Sequence, residues 1–304
     1  MEGGGEEIKN LRYSIREIED RFNSKYNYPY VILSPKPLSE KTMLLLSYLT
    51  KAKLKFGVIP YKHWSIPKDI DRQKARKARK ELNVIHADSL LFRHHNRYWT
   101  GFFFRHELTK EFDYYMKIDG GAQFNCDMKD PFEELKNNKK LYGFTQSVYE
   151  LEDTIKSLWS VTKEHFNTIN KKDLEFVSED EGNTYNLCHY WNSFEVASFS
   201  VFRNQKYLDY FNELEKQGGI FYERWAEGPI KTLFLNFALN RNQIHFFDQI
   251  GFYKHPYQYC PKNQAKGENG KVGPVCACDP KFSSELMANT SCNLRWYNLT
   301  GWGM

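Results

Sequence analysis

Strand-like and helix-like segments alternate from the N-terminus onward, and this alternation restricts the fold more than any other feature of the chain. Ile8, Leu11, Ile15, Ile18 and Phe22 fall at steps of three and four, the stripe of an amphipathic helix that packs on the outside of a sheet. Residues 29–34, Pro-Tyr-Val-Ile-Leu-Ser, form a β-branched and aromatic run bounded by Pro29 and Pro35, which fits a buried strand. A helix over about 40–51 and a strand over 54–59 continue the pattern. Apolar segments follow at 98–104 and 114–118, then a strand-like 142–147 and a helix carrying Leu151, Ile155 and Leu158. A helix over 205–216, another opening at Pro229 and a late strand over 244–248 complete the series. Such alternation predicts an α/β fold with a mostly parallel sheet covered by helices on both faces.

The 304 residues are 41% hydrophobic and 27% charged, a globular balance that excludes disordered, collagenous and coiled-coil chains. No repeat or long low-complexity linker divides them, and the polar stretch 171–183 reads as a surface loop. The apolar runs 43–49 and 233–239 fall well short of the ~18 residues that cross a bilayer. The first seven residues lack the basic and apolar regions of a secretory leader. A net charge of +5 is too mild and too mixed to indicate nucleic acid. Its one basic cluster, Lys68, Arg72, Lys74, Arg76, Lys77, Arg79 and Lys80, surrounds Ala75, Ala78 and Leu82 at helical spacing, so it reads as a solvated helix face. Aromatic residues reach 16%, which suits ring stacking on sugars or bases and equally suits core filling.

Cys126, Cys188, Cys260, Cys276, Cys278 and Cys292 crowd toward the C-terminus, where the tail from about residue 261 looks loop-rich. Disulfide staples formed in an oxidising compartment account for this placement. A zinc site is disfavoured, because Cys276-Ala277-Cys278 lacks the spacing of common zinc ligand pairs. Sequons at Asn289 and Asn298 point the same way, toward the secretory pathway.

Four constellations could carry chemistry. Asp119-Gly120-Gly121 ends the strand over 114–118, where a carboxylate can hold a divalent cation on a diphosphate, although Asp-Gly-Gly is also an ordinary turn. The run from Tyr185 to Glu195, with His189, Trp191 and Asn192, combines a carboxylate, an imidazole, amides and rings able to seat a sugar. Glu227 precedes a helix and could bind sugar hydroxyls or complement the helix dipole. His255, in Tyr253-Lys254-His255-Pro256-Tyr257, could ligate a metal or satisfy a loop carbonyl.

In this order the segments resemble the fungal Golgi α-1,2-mannosyltransferases of glycosyltransferase family 15. The resemblance rests on Arg21-Phe22-Asn23-Ser24-Lys25-Tyr26-Asn27-Tyr28-Pro29-Tyr30, Phe56-Gly57-Val58-Ile59-Pro60-Tyr61-Lys62-His63-Trp64-Ser65, and residues 97–104. It continues through Tyr142-Gly143-Phe144-Thr145, Cys188-His189-Tyr190-Trp191-Asn192-Ser193-Phe194-Glu195, Glu223-Arg224-Trp225 and Ile244-His245-Phe246-Phe247.

The resemblance implies a GT-A-type α/β fold over residues 1–304 as one catalytic domain, with an N-terminal helix over 1–25 and a stapled tail over 261–304. It implies a GDP-mannose donor, Mn²⁺ as cofactor, and transfer with retention to a mannose hydroxyl of protein-linked glycans. Glu195 falls on the carboxylate proposed as nucleophile or as stabiliser of an oxocarbenium-like transition state, and His255 on the metal-ligating histidine. Asp119 falls beside the donor diphosphate and metal. Phe92, Arg93, Trp191 and Glu227 fall at donor or acceptor positions. Three departures from the family pattern stand out: Asp119-Gly120-Gly121 replaces a Glu-Pro turn, Phe92 replaces a tyrosine, and Glu227 replaces an aspartate, adding about 1.5 Å of reach. Mannosylphosphate transfer and glycan binding without turnover are the alternative readings. The resemblance places the protein in the Golgi lumen, membrane-bound only through an N-terminal anchor that this chain lacks, which implies either a truncated catalytic domain or a different route into the pathway.

Overall fold

The structure is a computed structural model that describes residues 5–167, 174–264, 273–287 and 289–301. Helix α1 (Gly5–Ile18) runs through a π turn (Glu19–Asn23) and leads into β1 (Tyr30–Ser34), α2 (Glu40–Ser47) and β2 (Leu54–Val58). Next come α3 (Arg72–Glu81), α4 (Leu90–Gly101), β3 (Tyr114–Ile118), β4 (Gln123–Phe124), α5 (Pro131–Asn137), β5 (Tyr142–Phe144) and β6 (Ser147–Tyr149). The chain continues through α6 (Leu158–Phe166), β7 (Cys188–Tyr190), β8 (Phe194–Ser198), α7 (Gln205–Gln217) and α8 (Glu227–Ala238). It ends with β9 (Ile244–Phe246), β10 (Phe252–Lys254), β11 (Tyr257–Tyr259) and α9 (Asn293–Thr300).

The stripe of α1 buries Ile15, Ile18 and Phe22, and Ser14 Oγ donates to the Ala122 carbonyl at 2.9 Å, so the helix lies over the turn after β3. The basic helix α3 is capped by Asp71, buries Ala75 and leaves Arg72, Lys74, Arg76 and Lys77 in solvent, as its pattern predicts.

The central sheet has the order β3-β8-β5-β9, and β1 pairs with β2 in a separate two-stranded sheet. Among the described residues only the β1–β2 and β5–β9 ladders are parallel; the other five are antiparallel. The expectation of a mostly parallel sheet is therefore corrected. The parallel pairs β1–β2 and β5–β9 are each joined by a crossover that contains at least one helix, as parallel pairing requires, whereas β8 inserts antiparallel between β3 and β5 and reverses direction at the centre of the sheet. The helix expected around Leu151 is also shorter. It begins at Leu158, because Glu223 holds both the Ser157 N–H (3.0 Å) and hydroxyl (2.6 Å), and Leu151 stays exposed.

Strand alternation sorts the two faces of the sheet. Phe194 and Val196 of β8 face a cluster with Phe22, Phe124, Phe247 and Phe252, whereas Ala197 faces the larger core formed with α4, α7 and α8. Glu195 shares the face of Ala197, and Lys117 stands directly opposite it in the β3–β8 register.

All six cysteines are paired, as Cys126–Cys276, Cys188–Cys292 and Cys260–Cys278. Among the described residues the tail before residue 293 is loop-rich, and it closes with α9, which buries Trp296 and Tyr297 in the main core. Residues 171–173 of the polar stretch and 265–272 of the tail lie outside the described residues. The remainder of the polar stretch is more than a surface loop: Leu174, Phe176, Val177 and Ser178 are buried, while Glu175, Glu179, Glu181 and Asn183 are exposed.

Candidate active site

A cavity of about 730 Å³ runs between β1 and β3 and under α4, within the size range of ligand pockets. Tyr30, Phe92, His95, Trp99, Tyr115, Lys117, Asp119 and Lys254 line it. All five residues of β3 line the cavity, Tyr115 and Lys117 among them, and Asp119 joins them from the turn at the strand's carboxyl end.

Behind this wall lies a buried charge network. Lys117 Nζ donates to Glu227 Oε2 at 2.8 Å and to the Asn192 carbonyl at 3.0 Å, and stands 3.7 Å from Asp119 Oδ1. Lys231, one turn along α8, donates to Glu227 Oε1 at 2.6 Å and to Glu195 Oε1 at 2.5 Å. Tyr115 and Tyr142 donate their hydroxyls to Glu195 Oε1 (2.7 Å) and Oε2 (3.1 Å). Asn192 Nδ2 donates to Glu227 Oε2 at 2.6 Å, and the Glu227 N–H donates to Asn96 Oδ1 at 2.8 Å. The network thus alternates in sign from the cavity inward: Asp119, Lys117, Glu227, Lys231, Glu195.

Such burial is tolerable only because every charge has a partner. Burial alone would raise the Glu227 carboxyl, but Lys117 and Lys231 outweigh it and hold the group well below the usual carboxylate range. For Lys117 burial pulls the ammonium down, and Asp119, Glu227 and Glu195 together push it above its ordinary value. Burial, reinforced by Glu195, raises both the Tyr115 and Tyr142 phenols, so each keeps the proton it donates. Burial and Lys117 lower His95, which presents a neutral imidazole to the cavity.

The candidate residues read from the sequence divide accordingly. Asp119 and Phe92 line the cavity, and Phe92 stacks on His86 at a centroid distance of 4.9 Å. Glu195 and Glu227 are fully buried and joined through Lys231, one layer behind the lining. Arg93 is buried away from the cavity lining, its Nη1 donating to the Ser89 carbonyl at 3.0 Å. Trp191 sets its ring edge-on to Tyr257 at 5.1 Å and is likewise outside the lining. His255 is exposed in the turn between β10 and β11, and it is the neighbouring Lys254 that enters the cavity. Lys254 is the last residue of β10, whereas His255 opens the turn and stands in solvent.

Lys117, Lys231, Tyr115, Tyr142 and Lys254 were not singled out from the sequence. A lysine inside the apolar segment Ile230-Lys231-Thr232-Leu233-Phe234-Leu235, four residues after Glu227, is the one pattern that marks such a buried pair.

For a divalent cation, Asp119 offers one partly exposed carboxylate at a glycine turn. One carboxylate with diphosphate oxygens and water is a donor set that a hard cation accepts. Among the described residues the one grouping of three protein ligands is Cys126, Cys276 and Cys278, and all three are committed to disulfides.

The sequence profile of the family described as glycolipid 2-alpha-mannosyltransferase matches residues 3–301. The chain is similar to the Saccharomyces cerevisiae protein named alpha-1,2 mannosyltransferase KTR1, 37% identical over 96% of this chain and 76% of that protein. Among solved structures it resembles core-mannan synthase A (CmsA/Ktr4) from Aspergillus fumigatus in its Mn/GDP form, with a TM-score of 0.84, 28% identity, and coverage of 98% of this chain and 83% of that one. It also resembles the S. cerevisiae mannosyltransferase Ktr4p in complex with GDP, with a TM-score of 0.88, 26% identity, and coverage of 96% and 78%. The architecture is accordingly the GT-A-type α/β fold. By profile, by sequence and by fold, the chain belongs to the glycolipid 2-alpha-mannosyltransferase family.

Proposed function

We propose that this protein is a retaining mannosyltransferase that moves mannose from GDP-mannose to a mannose hydroxyl of protein-linked glycans, making an α-1,2 linkage. The family match across residues 3–301 carries this reading. The GDP and Mn/GDP forms of the two structural relatives support the donor and the cation.

On this reading the donor occupies the cavity with its diphosphate at the Asp119-Gly120-Gly121 turn. Asp119 would hold Mn²⁺, which when bound supplies Lewis-acid charge to the departing GDP. His255 lies outside the cavity and is given no ligand role. As the glycosidic phosphate bond breaks, positive charge grows on the sugar ring. Tyr115 commits its proton to Glu195, which leaves the phenol oxygen's lone pairs, backed by the carboxylate, to meet that charge. Both Glu195 oxygens are already engaged and the residue is fully buried, so the geometry favours charge stabilisation over direct nucleophilic attack. His95 and Trp99 offer a neutral imidazole and an indole face to sugar hydroxyls and ring carbons.

We place this activity in the Golgi lumen. The three disulfides agree with an oxidising compartment. No helix among the described residues is long and apolar enough to cross a membrane.

Incubating the purified protein with GDP-mannose, Mn²⁺ and α-methyl mannoside tests the proposal. GDP and a dimannoside are the expected products. Absence of transfer to any of several mannosides overturns it, and release of GMP instead of GDP selects mannosylphosphate transfer.

A further inference from the structure

The Asp119-Gly120-Gly121 turn carries a cation of its own. Lys254, the last residue of β10, lines the cavity with Asp119 and Gly120, and its ammonium donates a hydrogen bond to the Gly120 carbonyl. Gly121 has φ of +88°, and a Cβ placed on it would stand 2.9 Å from Lys254 Nζ. A side chain there would be strained and would crowd the ammonium, so glycine keeps the space that Lys254 fills.

The two lysines at this turn differ in what they have left to give. Lys117 is buried and spends its ammonium on Glu227 and the Asn192 carbonyl beside Asp119. Lys254 is half-buried, and among the described residues its one acceptor is the Gly120 carbonyl. An ammonium has three protons, so two remain uncommitted at the cavity surface.

We propose, resting on the donor-site reading above, that Lys254 is a diphosphate-binding residue and that its fixed charge lets the cavity bind a nucleoside diphosphate without a divalent cation. A lysine ammonium is a compact point charge that suits phosphate oxygens. A cation built into the wall costs no reorganisation when negative charge accumulates on the leaving group. The divalent cation then adds affinity to a site that already exists.

Titration calorimetry with GDP and with guanosine, in EDTA and in Mn²⁺, tests this. Two variants separate charge from architecture: Lys254→Arg keeps the charge, whereas Lys254→Gln keeps a donor for the Gly120 carbonyl and loses the charge. The wild type is expected to bind GDP in EDTA, more weakly as salt rises. Lys254→Gln is expected to lose about 10- to 100-fold of that affinity, the loss of one charge-assisted hydrogen bond. Its guanosine affinity and melting temperature should match the wild type, and Lys254→Arg should stay within a few-fold for GDP. GDP binding that appears only with Mn²⁺ overturns the role of Lys254 and leaves the donor reading intact. So does a Lys254→Gln protein that binds GDP in EDTA as the wild type does. Failure of GDP to bind with or without Mn²⁺ overturns both.

Discussion

Lys231 Nζ on α8 lies 2.5 Å from Glu195 Oε1 on β8, and this contact ties the helix that closes the core to the strand at the centre of the sheet. Both side chains are essentially without solvent contact. Removing one partner of such a pair leaves an uncompensated buried charge, at a cost of about 3–5 kcal/mol. Lys231→Met should therefore lower the melting temperature sharply. Pairing it with Glu195→Gln should return part of the loss, because the second change removes the stranded carboxylate. A double variant whose loss equals the sum of the single losses would show that the contact carries no coupling.

Acid should weaken the fold well above the carboxylate range. Burial, then neighbouring cations, lowers His63 and His94 to about 4 in the folded state, against 6.5 when free. Their depressed folded values mean that the unfolded chain takes up protons first as pH falls. Stability from these groups is fully present above pH about 6.5 and declines as pH falls toward about 4, modestly because both rings keep some contact with solvent. Melting temperatures between pH 7.5 and 5 measure this, and a flat profile would contradict it.

Reduction should act through the tail. Cys188–Cys292 fastens β7 to the start of α9, whose Trp296 packs in the main core. Replacing both cysteines with serine should cost about 2–5 kcal/mol in chemical denaturation. Unchanged stability would mean that α9 is held by packing alone.

Asp119→Asn should separate the two sources of cationic charge at the turn. It removes the carboxylate offered to a divalent cation and leaves Lys254 in place. The gain in GDP affinity on adding Mn²⁺ should shrink at least tenfold, with binding in EDTA unchanged or slightly stronger because the negative neighbour is gone. Retention of the full Mn²⁺ effect would remove Asp119 from the metal site.

Local patterns carried much of this structure. The period of α1, the basic face of α3 around Ala75 and the aromatic run of β3 each agree with their surroundings, so they are legible from short windows of sequence. Strand direction is not such a property: β8 takes its direction from β3 and β5, partners far from it along the chain. Pro256 lies in the turn of the hairpin β10–β11 and not within a strand, so it interrupts neither ladder. Glu195 and Glu227 stand out as carboxylates near the site, and the spacing of Lys231 from Glu227 marks one partner, but the rest of the network does not show in local sequence. Lys117 reaches Glu227 from β3 and Lys231 reaches Glu195 across the core, long-range contacts that no local spacing encodes.

Glu195 is proposed to serve mannosyl transfer at the β3 cavity from one layer behind its lining. Initial rates with GDP-mannose and a mannoside acceptor, measured for the wild type and Glu195→Gln beside their GDP affinities, test it most directly. The wild type should transfer mannose, and the variant should lose about 10²-fold or more in kcat while its Kd for GDP stays within a few-fold. Full transfer by Glu195→Gln, or none by the wild type, would contradict it.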